Sequence, residues 1–288
     1  MKKTAVLIGL LCLLFAGCSP TAEPAQVAAT TLPVYEFAYR LCGGTDIAVT
    51  RLVTESVSCL HDYSLSVSQV RAVEGAEIVV LSGAGLEDFL MDVVGDKPTI
   101  DSSKGIELLS CGHDHDHDHA HVHEVDAHIW LAPANAKAMV NNICDGLTEK
   151  YPEYEEIFVR NREDLLQEID ALETYGKEQL SQLSCRELIT FHDGFAYFAE
   201  SFDLTILEAI EEESGSEASA AELKGLIELT REHRLPAVFT ERNGSASAAQ
   251  ILSSETGAKV YALDMAMSGD SWYGAMMENI KTVKEALG

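Results

Sequence analysis

Short apolar runs alternate with longer amphipathic stretches along this chain. In the first half the runs at 27–31, 47–53 and 78–82 read as strands, with 98–101 a weaker fourth. In the second half 187–191, 204–208, 237–241 and 259–263 read the same way. Helical spacing follows at 33–41, 86–93, 219–232, 245–256 and 271–286, and Asn135 is placed to cap a helix running to about Lys150. Strands that alternate with helices predict an α/β fold with parallel-type sheets. Between the halves, 152–183 is the most helical segment, with Ile157, Leu165, Ile169 and Leu172 on one face among acids and bases. Such a helix would reach roughly 45–50 Å, the width of a domain, and would act as a stiff connector. The halves look alike in architecture but share no strong internal repeat.

The N-terminus changes the compartment. Lys2 and Lys3 precede an apolar run at 5–16, then Gly17 and Cys18. A basic flank, a short apolar stretch and small residues describe a secretory signal, and the run falls short of the ~20 residues a membrane span needs. Leu14-Phe15-Ala16-Gly17-Cys18 resembles a bacterial lipobox, in which the cysteine is diacylated and becomes the first mature residue; Phe15 departs from the more usual Leu. An ordinary signal peptide with Cys18 incidental is the alternative. The expected organisation is a signal at 1–17, a lipid-anchored tether at 18–26, a lobe at 27–151, the connecting helix at 152–183 and a second lobe at 184–288.

A hydrophobic fraction of 47% supports a real core, and a formal charge of −27 argues against nucleic acid, whose phosphates need a basic face. Excess acid concentrates cations without selecting among them. Once Cys12 leaves with the signal and Cys18 is lipidated, Cys42, Cys59, Cys111, Cys144 and Cys185 remain. An odd number implies an unpaired thiol or an intermolecular bond, and the lack of any Cys-x-x-Cys pair argues against a thiolate zinc cluster.

Histidines carry the chemistry. The tract 112–124 places His113, His115, His117, His119, His121 and His123 among aspartates and small residues. Imidazole suits zinc, copper and nickel, but no apolar face exists to hold this segment as a strand. It reads as a loop that collects metal weakly, without fixing coordination geometry. Outside it stand His61, His128, His192 and His233. His192 ends an apolar strand and Asp264 follows another, the position where open α/β sheets bind ligands. His233, among charged helical residues, reads as solvated surface.

His61-Asp62-Tyr63, His128-Ile129-Trp130-Leu131 and the run from Phe191 through His192-Asp193-Gly194 to Phe198 resemble the metal-site motifs of the zinc/manganese substrate-binding proteins of ABC importers. Segments 217–222, 237–241 and 255–257 resemble that family's second lobe, so the likeness covers nearly all of the mature chain. It implies two α/β lobes joined by one rigid helix, with metal in the cleft between them. It also implies His61 and His128 from the first lobe and His192 and Asp264 from the second as ligands, and a histidine-rich loop typical of zinc-selective members. The Pro-Gly turn often found before the first histidine is absent; Cys59 stands two residues before His61, and Ala127 and Ala132 replace the family's usual Pro and Asp.

Three imidazoles and a carboxylate suit four-coordinate Zn²⁺, whereas Mn²⁺ prefers more oxygen donors. The resemblance implies a monomeric extracytoplasmic receptor that hands Zn²⁺ to a membrane permease and its ATPase, with manganese or mixed transport the alternative. A zinc hydrolase would need an open water position and a base, and Asp264 fills the fourth place, so no enzymatic role is expected. A surface adhesin with a structural metal would unfold on metal depletion.

Overall fold

Val27, Ala28 and Ala29 are all fully buried, so the first strand has no solvent face and must lie inside a covered sheet. It is β1 (Val27–Ala29), flanked in a parallel sheet of order β2-β1-β3-β4 by β2 (Val49–Arg51), β3 (Ile78–Leu81) and β4 (Thr99–Asp101). The second half repeats this arrangement. There β5 (Glu187–Thr190), β6 (Thr205–Ala209), β7 (Ala237–Glu241) and β8 (Lys259–Leu263) run parallel in the order β6-β5-β7-β8. In this computed structural model residues 25–55, 60, 63–110, 125–210 and 218–288 are described. The expected signal, Cys18, Cys59, His61, Cys111 and the histidine tract lie outside those residues.

The helices are α1 (Leu32–Leu41), α2 (Val67–Gly75), α3 (Met91–Val94), α4 (Pro133–Lys150), α5 (Glu155–Gln179), α6 (Ala196–Ser201), α7 (Ala220–His233), α8 (Ser247–Thr256) and α9 (Trp272–Leu287). Strands β7 and β8 fall on their expected bounds, whereas β1 and β2 are shorter than expected. Thr31 leaves β1 early because it already serves as the N-cap residue of α1, whose first turn holds Pro33. The helix expected at 86–93 is a 3₁₀ turn at Asp88–Leu90 followed by the single turn of α3, which Gly95 ends at φ 53°. Asn135 does not cap α4. Ala132 is the N-cap residue and Pro133 sets the first turn, needing no N–H partner there.

The expected connector at 152–183 is a 3₁₀ turn at Pro152–Tyr154 and then α5, 25 residues long. At 1.5 Å per residue α5 spans roughly 38 Å, enough to reach from one sheet to the other. Its buried face carries Phe158, Leu165, Ile169, Leu172 and Gly176. That face joins α1 and α4 on the first half to α9 on the second through one continuous buried cluster. Polar contacts reinforce the seam: Trp130 Nε1 donates to the Met265 carbonyl (2.7 Å), Trp272 Nε1 donates to the Trp130 carbonyl (3.0 Å), and the Glu36 carboxylate accepts the Trp272 N–H (2.6 Å). Two sheets that share one core resist wide hinge opening, since separating them would expose Trp130 and Trp272, both fully buried.

Candidate metal centre

Connections leave β5 toward β6 on one side, while β7 lies on the other, so the carboxyl ends of β5 and β7 flank a crevice. His192 emerges just beyond β5, and Glu241 is the last residue of β7. Across this gap His192 Nδ1 lies 3.6 Å from Glu241 Oε2. The Glu241 side chain is buried, and burial, reinforced by the nearby Asp264 carboxylate, pushes its pKa up to about 8.

His128 arrives from the first half, immediately before the 3₁₀ turn Ile129–Leu131. Asp126 Oδ1 accepts both its backbone N–H (2.9 Å) and a bond from ring Nδ1 (2.8 Å), which fixes the ring against its own main chain. Asp126 is itself held: its N–H donates to the Leu109 carbonyl (2.8 Å) and its carbonyl accepts from the Tyr197 hydroxyl (3.0 Å). Gly194 completes the cradle. A Cβ there would stand 2.8 Å from His128 Nδ1 and 2.6 Å from Met265 Cε, so only a bare backbone lets the ring lie this close.

The result is a pair of buried imidazoles from different halves of the chain. His128 Nε2 and His192 Nε2 face each other at 3.5 Å, with the rings nearly perpendicular at 83°. Behind the pair sit two carboxylates, each with one buried oxygen, Asp126 Oδ2 and Glu241 Oε1, that has no hydrogen-bond partner among the described residues.

Asp264 follows β8 as expected, and its carboxylate is already engaged. Asn279 accepts its N–H (2.8 Å) and donates to its carbonyl (2.7 Å); Oδ1 accepts from the Ala266 N–H (2.8 Å), and Oδ2 lies 3.4 Å from Arg242 Nη1. The structure therefore brings His128 and His192 together without gathering Asp264 to them. Among the described residues no three His, Cys, Asp or Glu side chains converge in a group able to hold a metal ion. His233 differs from its expected place: it is half-buried, with Nδ1 2.9 Å from Glu187 Oε2, because the last turn of α7 meets the start of β5. Cys42, Cys144 and Cys185 are free thiols.

Sequence reasoning did not single out Asp126, Gly194 or Glu241. Asp126 and Gly194 lie inside motifs already read for their histidines. Glu241 had one signal, an acid closing the otherwise uncharged strand Ala237-Val238-Phe239-Thr240.

Comparison with known proteins agrees with this architecture. The zinc-binding lipoprotein AdcA of Streptococcus pneumoniae is 30% identical over 99% of this chain, which spans 61% of that protein's length. The crystal structure of ZnuA superposes with a TM-score of 0.81 at 28% identity, covering 92% of this chain and 100% of the other. Zn(II)-bound AdcA from S. pneumoniae gives a TM-score of 0.75 at 27% identity, over 91% of this chain and 57% of the other. Residues 27–286 match the family model of the periplasmic zinc-uptake complex component A, and the chain belongs to that family.

Proposed function

We propose that this chain is an extracytoplasmic zinc receptor, anchored through a lipid on Cys18, that captures Zn²⁺ and delivers it to the permease and ATPase of an ABC importer. The reading takes His61, His128, His192 and Asp264 as the ligands and His113, His115, His117, His119, His121 and His123 as weak accessory sites. It assigns the chain no catalytic step. Zinc is cargo, so the pocket must bind it firmly and also let it go.

One observation carries the reading: the 3.5 Å separation of the two Nε2 atoms. Two nitrogens each ~2.0–2.1 Å from a tetrahedral centre lie about 3.3–3.4 Å apart, so the pair already has the spacing of two corners of a zinc site. Asp264 would turn from Arg242 to the cation, an exchange of one positive partner for a stronger one. Manganese would call for more oxygen donors than this pair of imidazoles leaves room for.

The test is calorimetric competition between Zn²⁺ and Mn²⁺ on protein lacking residues 112–124. One tight zinc per chain, lost on His128→Ala or His192→Ala, is the expected result, with weaker equivalents present only in the intact chain. Preference for Mn²⁺, or loss of the tight site on removing the tract, would overturn the assignment.

A further inference from the structure

We propose that Asp126 and Glu241 are the positioning residues of the histidine pair: each buried carboxylate takes the Nδ1 side of one ring and leaves Nε2 as the nitrogen that meets the cation. The inference rests on the reading of His128 and His192 as zinc ligands, and deepens it by naming what orients them.

An imidazole offers two nitrogens, and the hydrogen bond made by one decides which is left for the metal. Asp126 Oδ1 lies 2.8 Å from His128 Nδ1, within ordinary hydrogen-bond reach, while accepting the N–H of the same residue at 2.9 Å. That double acceptance locks ring and main chain together. Glu241 Oε2 stands 3.6 Å from His192 Nδ1, a few tenths of an ångström beyond bonding reach, so a small ring rotation closes it. The two contacts reach their rings from opposite halves of the fold, and both put Nε2 on the inner side, where the two atoms face each other. With both protons held on Nδ1 by the carboxylates, the two Nε2 lone pairs point into the same 3.5 Å gap, the arrangement a shared cation needs.

The carboxylates have a second mark of function. Asp126 and Glu241 are 3% and 4% exposed, and each keeps one oxygen without a hydrogen-bond partner among the described residues. Leaving a buried carboxyl oxygen unmet is costly, because it gives up water without gaining a partner. Packing alone does not demand that cost, since an apolar side chain would avoid it. A doubly charged ion on the far side of the ring offsets it, because negative charge behind each ligand raises the basicity of the imidazole and balances the metal. Asp264 adds a third carboxylate near Glu241.

The test uses the full chain with Zn²⁺ as probe and four variants, Asp126→Ala, Asp126→Asn, Glu241→Leu and Glu241→Gln. Zinc affinity by chelator competition should fall about 10–100-fold in the Ala and Leu variants. It should be largely restored in Asn and Gln, which keep an oxygen for Nδ1–H. Imidazole ¹⁵N shifts of the metal-free protein should show the Nδ1–H tautomer at His128 and His192 in the native chain, mixed at the matching ring in each Ala or Leu variant. Zinc-edge absorption should count the same ligands in Glu241→Leu as in the native protein. Affinity within twofold of native, Asn and Gln no better than Ala and Leu, or an Nε2–H tautomer would overturn the proposal, as would loss of an oxygen ligand in Glu241→Leu. If Asp126→Ala does not fold, Asp126→Asn and the Glu241 pair still decide it. Failure of the parent reading looks different: the native chain would bind no zinc, or His128→Ala would bind it normally, while the tautomer spectra would still judge the two carboxylates.

Discussion

Replacing Gly194 by alanine tests the geometry of the centre without removing any polar group. The added Cβ would meet Met265 Cε at 2.6 Å, His128 Nδ1 at 2.8 Å and His128 Cε1 at 2.9 Å, all closer than carbon tolerates. The Met265 methyl is the end of a flexible side chain and can retreat, though Met265 is only 3% exposed and must displace its own neighbours. The His128 ring has no such freedom, because Asp126 holds its Nδ1 and Trp130 packs against it at 5.5 Å between centroids. Overpacking of this kind costs about 1–3 kcal/mol, which for a chain of this size lowers the melting temperature by roughly 2–5 °C. Part of the strain will be relieved by turning the ring, and that moves Nε2 off the line to its partner. Zinc affinity should fall at least about tenfold, and at a zinc concentration fixed well above the native dissociation constant the zinc-induced stabilisation should shrink by about 1.4 kcal/mol per tenfold loss. Thermal unfolding with and without Zn²⁺, beside a direct affinity measurement, reads both effects. An alanine variant that melts like the native chain and binds zinc within twofold would refute the close-packed cradle. One that is destabilised yet binds normally would show that Met265 alone gives way.

Other consequences lie farther from the centre. A Cβ on Gly176 would stand 2.3 Å from Phe202 Cε1 and 3.0 Å from Ile280 Cδ1, so Gly176→Ala should destabilise the seam between α5 and α9 by about 1–3 kcal/mol in urea unfolding while leaving zinc affinity unchanged. Burial pushes the Cys42 thiol up to about 12 and raises that of Cys144, so both should resist alkylation in the native chain at pH 8, whereas the half-buried Cys185 should react; site-resolved mass spectrometry checks this, and fast native labelling of Cys42 would contradict it. Glu87 accepts from Thr30 Oγ1 and from the N–H groups of Ser82 and Gly83, yet burial outweighs these bonds and lifts its pKa to about 7. A folded pKa above the unfolded one means a contribution that is full below about pH 4.3 and lost as pH rises through 7. The stability of the native chain relative to Glu87→Gln should therefore fall by on the order of 3 kcal/mol between pH 4.5 and 8 in urea titrations, and a flat or rising difference would exclude it.

How much of this was legible depends on what a local pattern can encode. Strand β7 matched its expected bounds because a run of apolar residues reports burial directly, and all five of its residues are buried; the edge strand β8 matched too, although only Leu263 of it is buried. At Thr31 the pattern misled, since it is fully buried through a polar partner, its Oγ1 bonding Ser82 Oγ, while it already serves as the N-cap residue of α1; Thr30, just past β1, still bonds Val80 and Val53 through its main chain and reaches Glu87 through Oγ1. From strand position alone only His192 could be placed, since a residue just past a strand's carboxyl end lies at the crevice; His128 was expected beside it only through the motif resemblance. Nothing local placed His128 opposite, where the shared core and the Trp130–Met265 bond bring it. Glu241 was hidden for a sharper reason. It becomes a neighbour of His192 only through the strand order β6-β5-β7-β8, a long-range fact that no window of sequence contains. Asp264 shows the converse limit, since the strand-end rule fixed where its backbone leaves the sheet but not the direction of its carboxylate. Arg242, one residue beyond Glu241, competes for that carboxylate. On the proposed ligand set, the same turn would supply a carboxylate behind one histidine and a cation that zinc would have to displace from Asp264, which would let two adjacent residues tune capture and release.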